Sequence, residues 1–569
     1  MERLFWKYFP FAILSVLFLP YLFPPSKVSH SYSYMVGFDN KIGFLILLII
    51  AIPPLFYTYY KKTELSVFNS TPIERIPKEE RYIKIYMSLT GLLIGLMGLI
   101  YTWDRFDGYY EGVYFYHFLY ALDNGSSLYD EVQFIYGPLT IYPVYLLMQI
   151  GINIHIAYFF VLIVFQLLGL YFVYDILPLF KLSEKERFAI MLLITVISFP
   201  MSTGLNYCLF RFAIMPWAVT QLVLGYNRRN HVVCLLLALV LLLATLLYSP
   251  EIGLCYALVV TLWISIHFYY NHTKADVFTL ISLWIGMIII ILLYPNYLSS
   301  VFQAGSGGGN FPYVPSLILC LIIAVFISYG ALIGGQLRKL SENYDFIAIE
   351  VAMIIASPAG LGRCDPLHIE SFCLFGLIVS YIILRSIFNA KVVKWTFLIS
   401  ILTLFPHHLL YNYEILNKMI DNVRVKVTSI NPNQEKYESY IRTVENLNGT
   451  VSSIQCSNLV YKYLIDTYDY RETYFGFTPQ WVGTKEGFDR ELSELKNINA
   501  DYLVVPANYE EKWLSPKYMG ISNLLYCSYY FIKPYRYYHH ELYGELIDYL
   551  NQSYHKIRTF KDITVLERN

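Results

Sequence analysis

Charge is scarce in this sequence: Asp, Glu, Lys and Arg make up 15% of its 569 residues, against roughly 25% in a soluble globular chain. The 42 basic and 42 acidic residues cancel, so there is no electrostatic footprint for nucleic acid or for a strongly acidic partner. Cysteine is also sparse, at eight, and neither a CxxC nor a Cys/His spacing able to hold a metal occurs. Only Cys456 and Cys527 lie in the polar tail, where they could form a disulfide. A phosphate-cradling P-loop, a dinucleotide fingerprint and a G-x-S-x-G elbow are all missing, which leaves nucleotide binding and serine-hydrolase chemistry without support. No repeat of fixed period is visible.

What the chain has instead is apolar surface. Hydrophobic residues reach 56% and mean hydropathy is +0.45, more than one soluble core can hide, so lipid must act as solvent. Tyr and Phe are abundant, at 55 and 38, as suits rings anchored at a membrane interface. The N-terminus begins with charge and an apolar run but lacks a small-residue cleavage site, and reads as a retained span. Windows able to cross roughly 30 Å of hydrocarbon fall at 8–24, 42–60, 84–102, 154–175, 186–203, 207–225, 231–247, 252–270, 276–294, 315–335, 345–360, 368–388 and 394–411. Lys and Arg gather in alternate connections: 61–84, 181–187, Arg228 and Arg229, Lys274, Arg338 and Lys339, and 385–394. This places the N-terminus and those loops in the cytoplasm, provided that the short stretch 136–150, with Pro138 and Pro143, is re-entrant or interfacial.

The expected architecture is therefore an all-α polytopic membrane bundle of about 13 transmembrane helices with a small C-terminal α/β extracytoplasmic domain. Residues 1–82 form a two-span hairpin and a basic loop, 83–411 a multi-span domain with an acidic outer loop at 103–153, and 412–569 the outer domain. In that tail, helical periodicity runs over 434–447 and 485–498, and strand-like runs over 502–505 and 563–567. The outer face should gather 103–153, 294–314 and 357–368, the second of which holds the flexible GSGGG run at 305–309.

Candidate chemistry sits in those outer segments. Asp104, Asp107, Glu111, Asp123, Asp130 and Glu131 crowd the first loop, more carboxylates than helix capping needs. Asp107 and Glu111, four apart, would share one helix face. Arg211, in CLFRFAIMPW, lies just inside the same face, and charged groups within apolar spans are functional suspects. It could equally snorkel, and Arg363 could simply pair with Asp365. The tail offers Trp481 and many Tyr, which suit sugar contact and a core alike.

An acidic pair after an early span (Asp107, Gly108, Glu111, Gly112), then Gly125, Tyr129 and Asp130, then Tyr136-Gly137-Pro138-Leu139, resembles the first outer loop of the glycosyltransferase C superfamily, which includes protein mannosyltransferases and the aminoarabinose transferase of lipid A. Glu251 in LLYSPEIGLCY, and Arg363, Asp365 and His368 in SPAGLGRCDPLHIESF, extend the resemblance over roughly 83–390. Many relatives have adjacent Asp-Glu where Tyr110 here precedes Glu111, so either Asp107 or Glu111 could be the base.

The resemblance implies inverting transfer of a sugar from a polyprenyl-phosphate donor to a glycan, lipid or protein acceptor outside the cytoplasmic membrane. Asp107, Glu111 and Asp130 would serve catalysis, and Arg211, Arg363, Asp365, His368 and Glu251 would hold the donor and its phosphate. Breaking the anomeric carbon–phosphate bond builds negative charge on oxygen, which a guanidinium meets bidentately. No cofactor is demanded; a divalent cation on the loop carboxylates with Asp365 and His368 stays an alternative without a ligand spacing to support it. A transporter or flippase for lipid-linked saccharides would instead string charges through the bilayer centre, and a polymerase of such units would share the donor.

Overall fold

The computed structural model describes residues 2–23, 38–63, 65–69, 80–101, 111–198, 204–226, 231–305, 313, 317–357, 360, 368, 371–398, 434–473, 485–514, 540–561 and 563–569. Within these, seven helices are long and apolar enough to cross a membrane: Phe5–Leu22, Asn40–Lys61, Ile154–Leu179, Leu205–Tyr226, Pro250–Asn271, Lys274–Leu293 and Leu319–Leu337. Windows expected near 84–102, 231–247 and 368–388 hold shorter apolar helices, and those near 186–203 and 345–360 hold 15-residue helices, Glu184–Ser198 and Leu340–Ile354. The stretch 136–150 folds as a 3-10 turn, Pro138–Thr140, and an eight-residue helix, Tyr142–Gln149. At 1.5 Å per residue that helix extends about 12 Å, well short of a crossing.

Local chemistry starts and stops these helices. Asp39 caps Asn40–Lys61 by accepting from the backbone N–H groups of Lys41 and Ile42 at 2.8 and 3.2 Å, and Asn153 caps Ile154–Ile176 by accepting from His155 at 2.9 Å, satisfying donors that a helix start leaves open. Pro250 occupies the first turn of its helix, where its missing N–H costs nothing. Outward-facing Val240, Leu262, Phe278 and Ile288 are 51–66% exposed, an apolar exterior that only lipid would solvate. Two helices meet backbone to backbone: a Cβ at Gly330 would lie 2.0 Å from the Ala51 carbonyl oxygen, and one at Gly334 2.1 Å from that of Leu55. This is the small-xxx-small contact that lets spans pack without a hydrophobic driving force.

The tail carries the expected α/β unit. Helices Gln434–Val444 and Lys485–Ile498 and strands β3 (Tyr502–Pro506) and β5 (Ile563–Arg568) sit where periodicity placed them. With β1 (Thr450–Ser453), β2 (Asp469–Tyr470) and β4 (Tyr554–Phe560) they form a sheet ordered β2-β1-β3-β5-β4. The first three strands run parallel and β5 and β4 antiparallel, over a core that includes Leu503, Val505, Trp513, Tyr543 and Leu566. Cys456 keeps a free thiol, 3.1 Å from Ser453 Oγ, and burial pushes it up to about 12; Cys527 lies outside the described residues.

Asp501 ties the start of β3 to the start of β1. Its Oδ2 accepts from the Thr450 N–H at 3.0 Å and hydroxyl at 2.9 Å, and Arg568 approaches Oδ1 at 3.4 Å. The Thr450 bonds, chiefly the backbone one, hold its carboxyl below the ordinary 3.8. Because the folded value is the lower one, the stability Asp501 contributes is present above about 3.8 and is lost as pH falls through the folded value. Asp501→Asn is expected to cost about 1 kcal/mol at neutral pH and to flatten the tail's acid unfolding curve, a result that circular dichroism of the detergent-solubilised protein would check.

Candidate active site

The YGPL turn is built against a helix end. Gly137 donates its N–H to the Tyr248 carbonyl at 3.1 Å, and a Cβ there would lie 1.9 Å from the Leu247 carbonyl oxygen, so only glycine permits the approach. Thr140 closes the turn through its hydroxyl on the Gly137 carbonyl at 2.6 Å. Tyr129 donates to the Tyr136 carbonyl at 2.7 Å; burial first, then neighbouring phenols, push its own phenol well above 10.0 and keep it a donor. Gly137→Ala is expected to cost about 1–3 kcal/mol through overpacking and to displace Tyr136, which melting curves and activity read in parallel would show.

Tyr136 meets the intramembrane cation. The Arg211 guanidinium carbon lies 5.2 Å from the Tyr136 ring centroid, 5.2 Å from Phe372 and 5.6 Å from Phe212, within cation–π range. Arg211 is 7% exposed. Its Nε donates to Ser249 Oγ at 2.9 Å and Nη1 to the Asn206 carbonyl at 2.7 Å, while Nη2 pairs with Glu251 Oε1. Asn206 Nδ2 in turn donates to the Tyr136 hydroxyl at 2.9 Å. Among the described residues, three of the five guanidinium N–H groups are used.

Glu251 follows Ser249 and Pro250 at the first turn of its helix, so the carboxylate faces a positive helix end as well as Arg211. Its Oε1 also accepts from Ser249 Oγ at 2.6 Å, and its side chain is 32% exposed. The Arg211–Glu251 pair is neutral overall. His368 joins from another segment: its Nε2 lies 2.8 Å from the Tyr207 hydroxyl, and its ring stacks on Phe372 at 6.5 Å. Stretches 129–140, 204–211 and 248–251, with His368 and Phe372, thus converge at one end of the bundle.

The same end holds other expected outer segments. Asn296 donates to Asp130 at 2.7 Å, Gln133 to the Ser300 carbonyl at 3.0 Å, and Tyr297 to the Leu246 carbonyl at 2.6 Å. Asp130 is exposed and contacts Asn296 rather than the Arg211 cluster. Asp104, Asp107, Arg363, Asp365, Trp481 and most of the GSGGG run lie outside the described residues, as does the side chain of Glu111, whose backbone opens the helix Glu111–Asp123. Among the described residues, no group of three His, Cys, Asp or Glu could hold a metal.

Basic connections meet at the other end. Arg385 Nη1 reaches Glu186 at 2.5 Å and Nη2 the Lys181 carbonyl, and Phe68 bridges to Phe180. There too Asp276, fully buried, accepts from Tyr226 at 2.7 Å and lies 2.9 Å from His267 Nδ1. Sequence reading passed over Asn206, Tyr207 and Ser249. The Ser-Pro-Glu run before an apolar helix was the available signal for Ser249; the other two stand at the start of a span as unremarkable polar residues.

No family model and no curated protein matches this chain. Among solved structures, the crystal structure of ArnT from Cupriavidus metallidurans bound to undecaprenyl phosphate is similar to it with a TM-score of 0.43 at 10% identity, covering 85% of this chain and 98% of that chain.

Proposed function

We propose that this chain is an integral membrane glycosyltransferase that moves a sugar from a polyprenyl-phosphate donor to an acceptor at the extracytoplasmic face. The observation that carries the reading is the meeting of Tyr136, from the turn that resembles the superfamily's outer loop, with Arg211, an ion-paired cation buried at a span end. Burying a guanidinium costs several kcal/mol before it is paired, and a charged group held within an apolar span is a functional suspect. The basic loops at the opposite end support an outward-facing site, with the N-terminus in the cytoplasm.

In the reaction, an acceptor hydroxyl oxygen attacks the anomeric carbon from the side opposite the phosphate. The bond from that carbon to the phosphate oxygen breaks, and the electron pair leaves with polyprenyl phosphate. Asp107 or Glu111 takes the hydroxyl proton. Arg211, two of whose N–H groups have no partner among the described residues, meets the growing charge on phosphate, and Tyr207 with His368 supplies a further donor. Since Glu251 already neutralises Arg211, a bound phosphate requires a second cation, and Arg363 takes that role.

The test is transfer by the reconstituted protein of labelled sugar from a polyprenyl-phosphate donor, scored by loss of the donor and gain of one sugar mass on the acceptor. A protein that moves the intact lipid-linked sugar across the bilayer without cleaving it would be a flippase, and the reading would fail.

A further inference from the structure

The outer domain does not merely follow the spans; it grips the loop helix. The helix Asn458–Thr467 packs on Glu111–Asp123, with the Tyr461 ring 3.8 Å from that of His117 at a 30° tilt and Lys462 Nζ 5.1 Å from the Tyr120 ring. His117 and Tyr120 lie about one turn apart on one side of the loop helix, and they meet consecutive residues, Tyr461 and Lys462, of its partner. Glu472, two residues beyond the edge strand β2, closes the grip. Its Oε1 lies 2.8 Å from His117 Nε2 and its Oε2 accepts from the Tyr461 hydroxyl at 2.7 Å. The Glu472 side chain is 11% exposed and Tyr461 is 1% exposed, so the carboxylate is largely withdrawn from water with both oxygens occupied.

The rest of the loop helix leads to the site. Tyr114 and Phe115 each lie 6.0 Å from the Tyr136 ring, Tyr116 bonds His155 Nδ1 at 2.8 Å, and Phe118 packs on Phe134 at 5.0 Å. Tyr136 stands over Arg211. Glu111, a candidate base, is the first residue of this same helix. An unbroken run of packed groups therefore joins Glu472 in the outer domain to the guanidinium in the membrane.

We propose that Glu472, acting through His117, is a positioning residue for transfer: it fixes the loop helix, and through Tyr114 and Phe115 the Tyr136 ring, in the register that sets that ring over Arg211. The proposal rests on the transferase reading for its effect on turnover, though not for the grip itself. A misplacement of about 1 Å far from the reacting atoms can cost up to roughly a hundredfold in rate, so a carboxylate that touches no substrate can still govern kcat.

The experiment uses the full chain in lipid nanodiscs. Glu472→Ala, His117→Ala, the double variant and His117→Gln are compared, the last because its amide N–H takes the place of Nε2. Hydrogen exchange over 111–123 is read beside kcat and the donor KM. Both alanine variants are expected to raise exchange and to lower kcat about tenfold with KM unchanged, the double variant to do no more than either alone, and His117→Gln to restore both. Unchanged exchange, additive losses, or raised exchange with full turnover would each overturn the proposal. A wild-type chain without transferase activity would sink the functional reading instead and leave the grip to be judged by exchange and its non-additivity.

Discussion

Arg211→Gln is expected to lower sugar transfer by roughly 10²- to 10³-fold, the range found when one preorganised donor to a developing oxyanion is lost. The guanidinium supplies bonds to Ser249, Asn206 and Glu251 and is flanked by Tyr136, Phe212 and Phe372; glutamine can replace neither its charge nor its fork. The single variant also leaves Glu251 without a counter-charge, which costs about 3–5 kcal/mol in a buried site and less where a third of the side chain meets solvent. Arg211→Gln with Glu251→Gln removes both charges together, so it is expected to regain thermal stability while staying inactive. Lysine at 211 keeps the charge but not the planar fork or the ring stacking, and should recover only a small part of the rate. Initial rates and melting temperatures of these three variants separate a catalytic role from a structural one: recovery of activity along with stability would reduce Arg211 to a packing element.

The second large effect is expected in the acidic loop. Asp107→Asn and Glu111→Gln, made singly, should divide sharply. The variant lacking the base should fall by roughly 10²- to 10⁴-fold in kcat, with the donor KM little changed because the proton moves only in the transition state. The other should remain within a few-fold of wild type, since a loop carboxylate that caps or solvates costs about 1 kcal/mol or less when made neutral. Full activity in both variants would remove the proposed proton transfer and leave Glu251, the half-buried carboxylate of the Arg211 pair, as the carboxylate to test next.

The sequence displayed some of this arrangement and concealed the rest. The tail helix over Lys485–Ile498 and the strands at Tyr502–Pro506 and Ile563–Arg568 were legible because period 3.6 and period 2 are local properties of a chain. The contacts of the first loop with Asn296 and Ser300 were foreshadowed by the alternation of basic loops, which groups alternate connections together. Arg211 was visible as a charge in an apolar run, but its pairing with Glu251 was not, since the two residues lie 40 apart on separate helices and only packing brings them together. The contact between His117 and Glu472 spans 355 residues and leaves no local trace. Spans were harder to count than to detect: among the described residues the windows at 186–203 and 345–360 hold 15-residue helices, Glu184–Ser198 and Leu340–Ile354.

The central claim is that a lipid-linked sugar is cleaved at the Arg211 end of the bundle. Mass spectrometry of polyprenyl-phosphate sugars and envelope glycans, in cells with the wild-type gene, with Arg211→Gln and without the gene, measures it most directly. Only the wild type is expected to show an acceptor heavier by one sugar together with a matching fall in the lipid-linked donor. Identical profiles in all three, or the same added sugar in the Arg211→Gln cells, would contradict it.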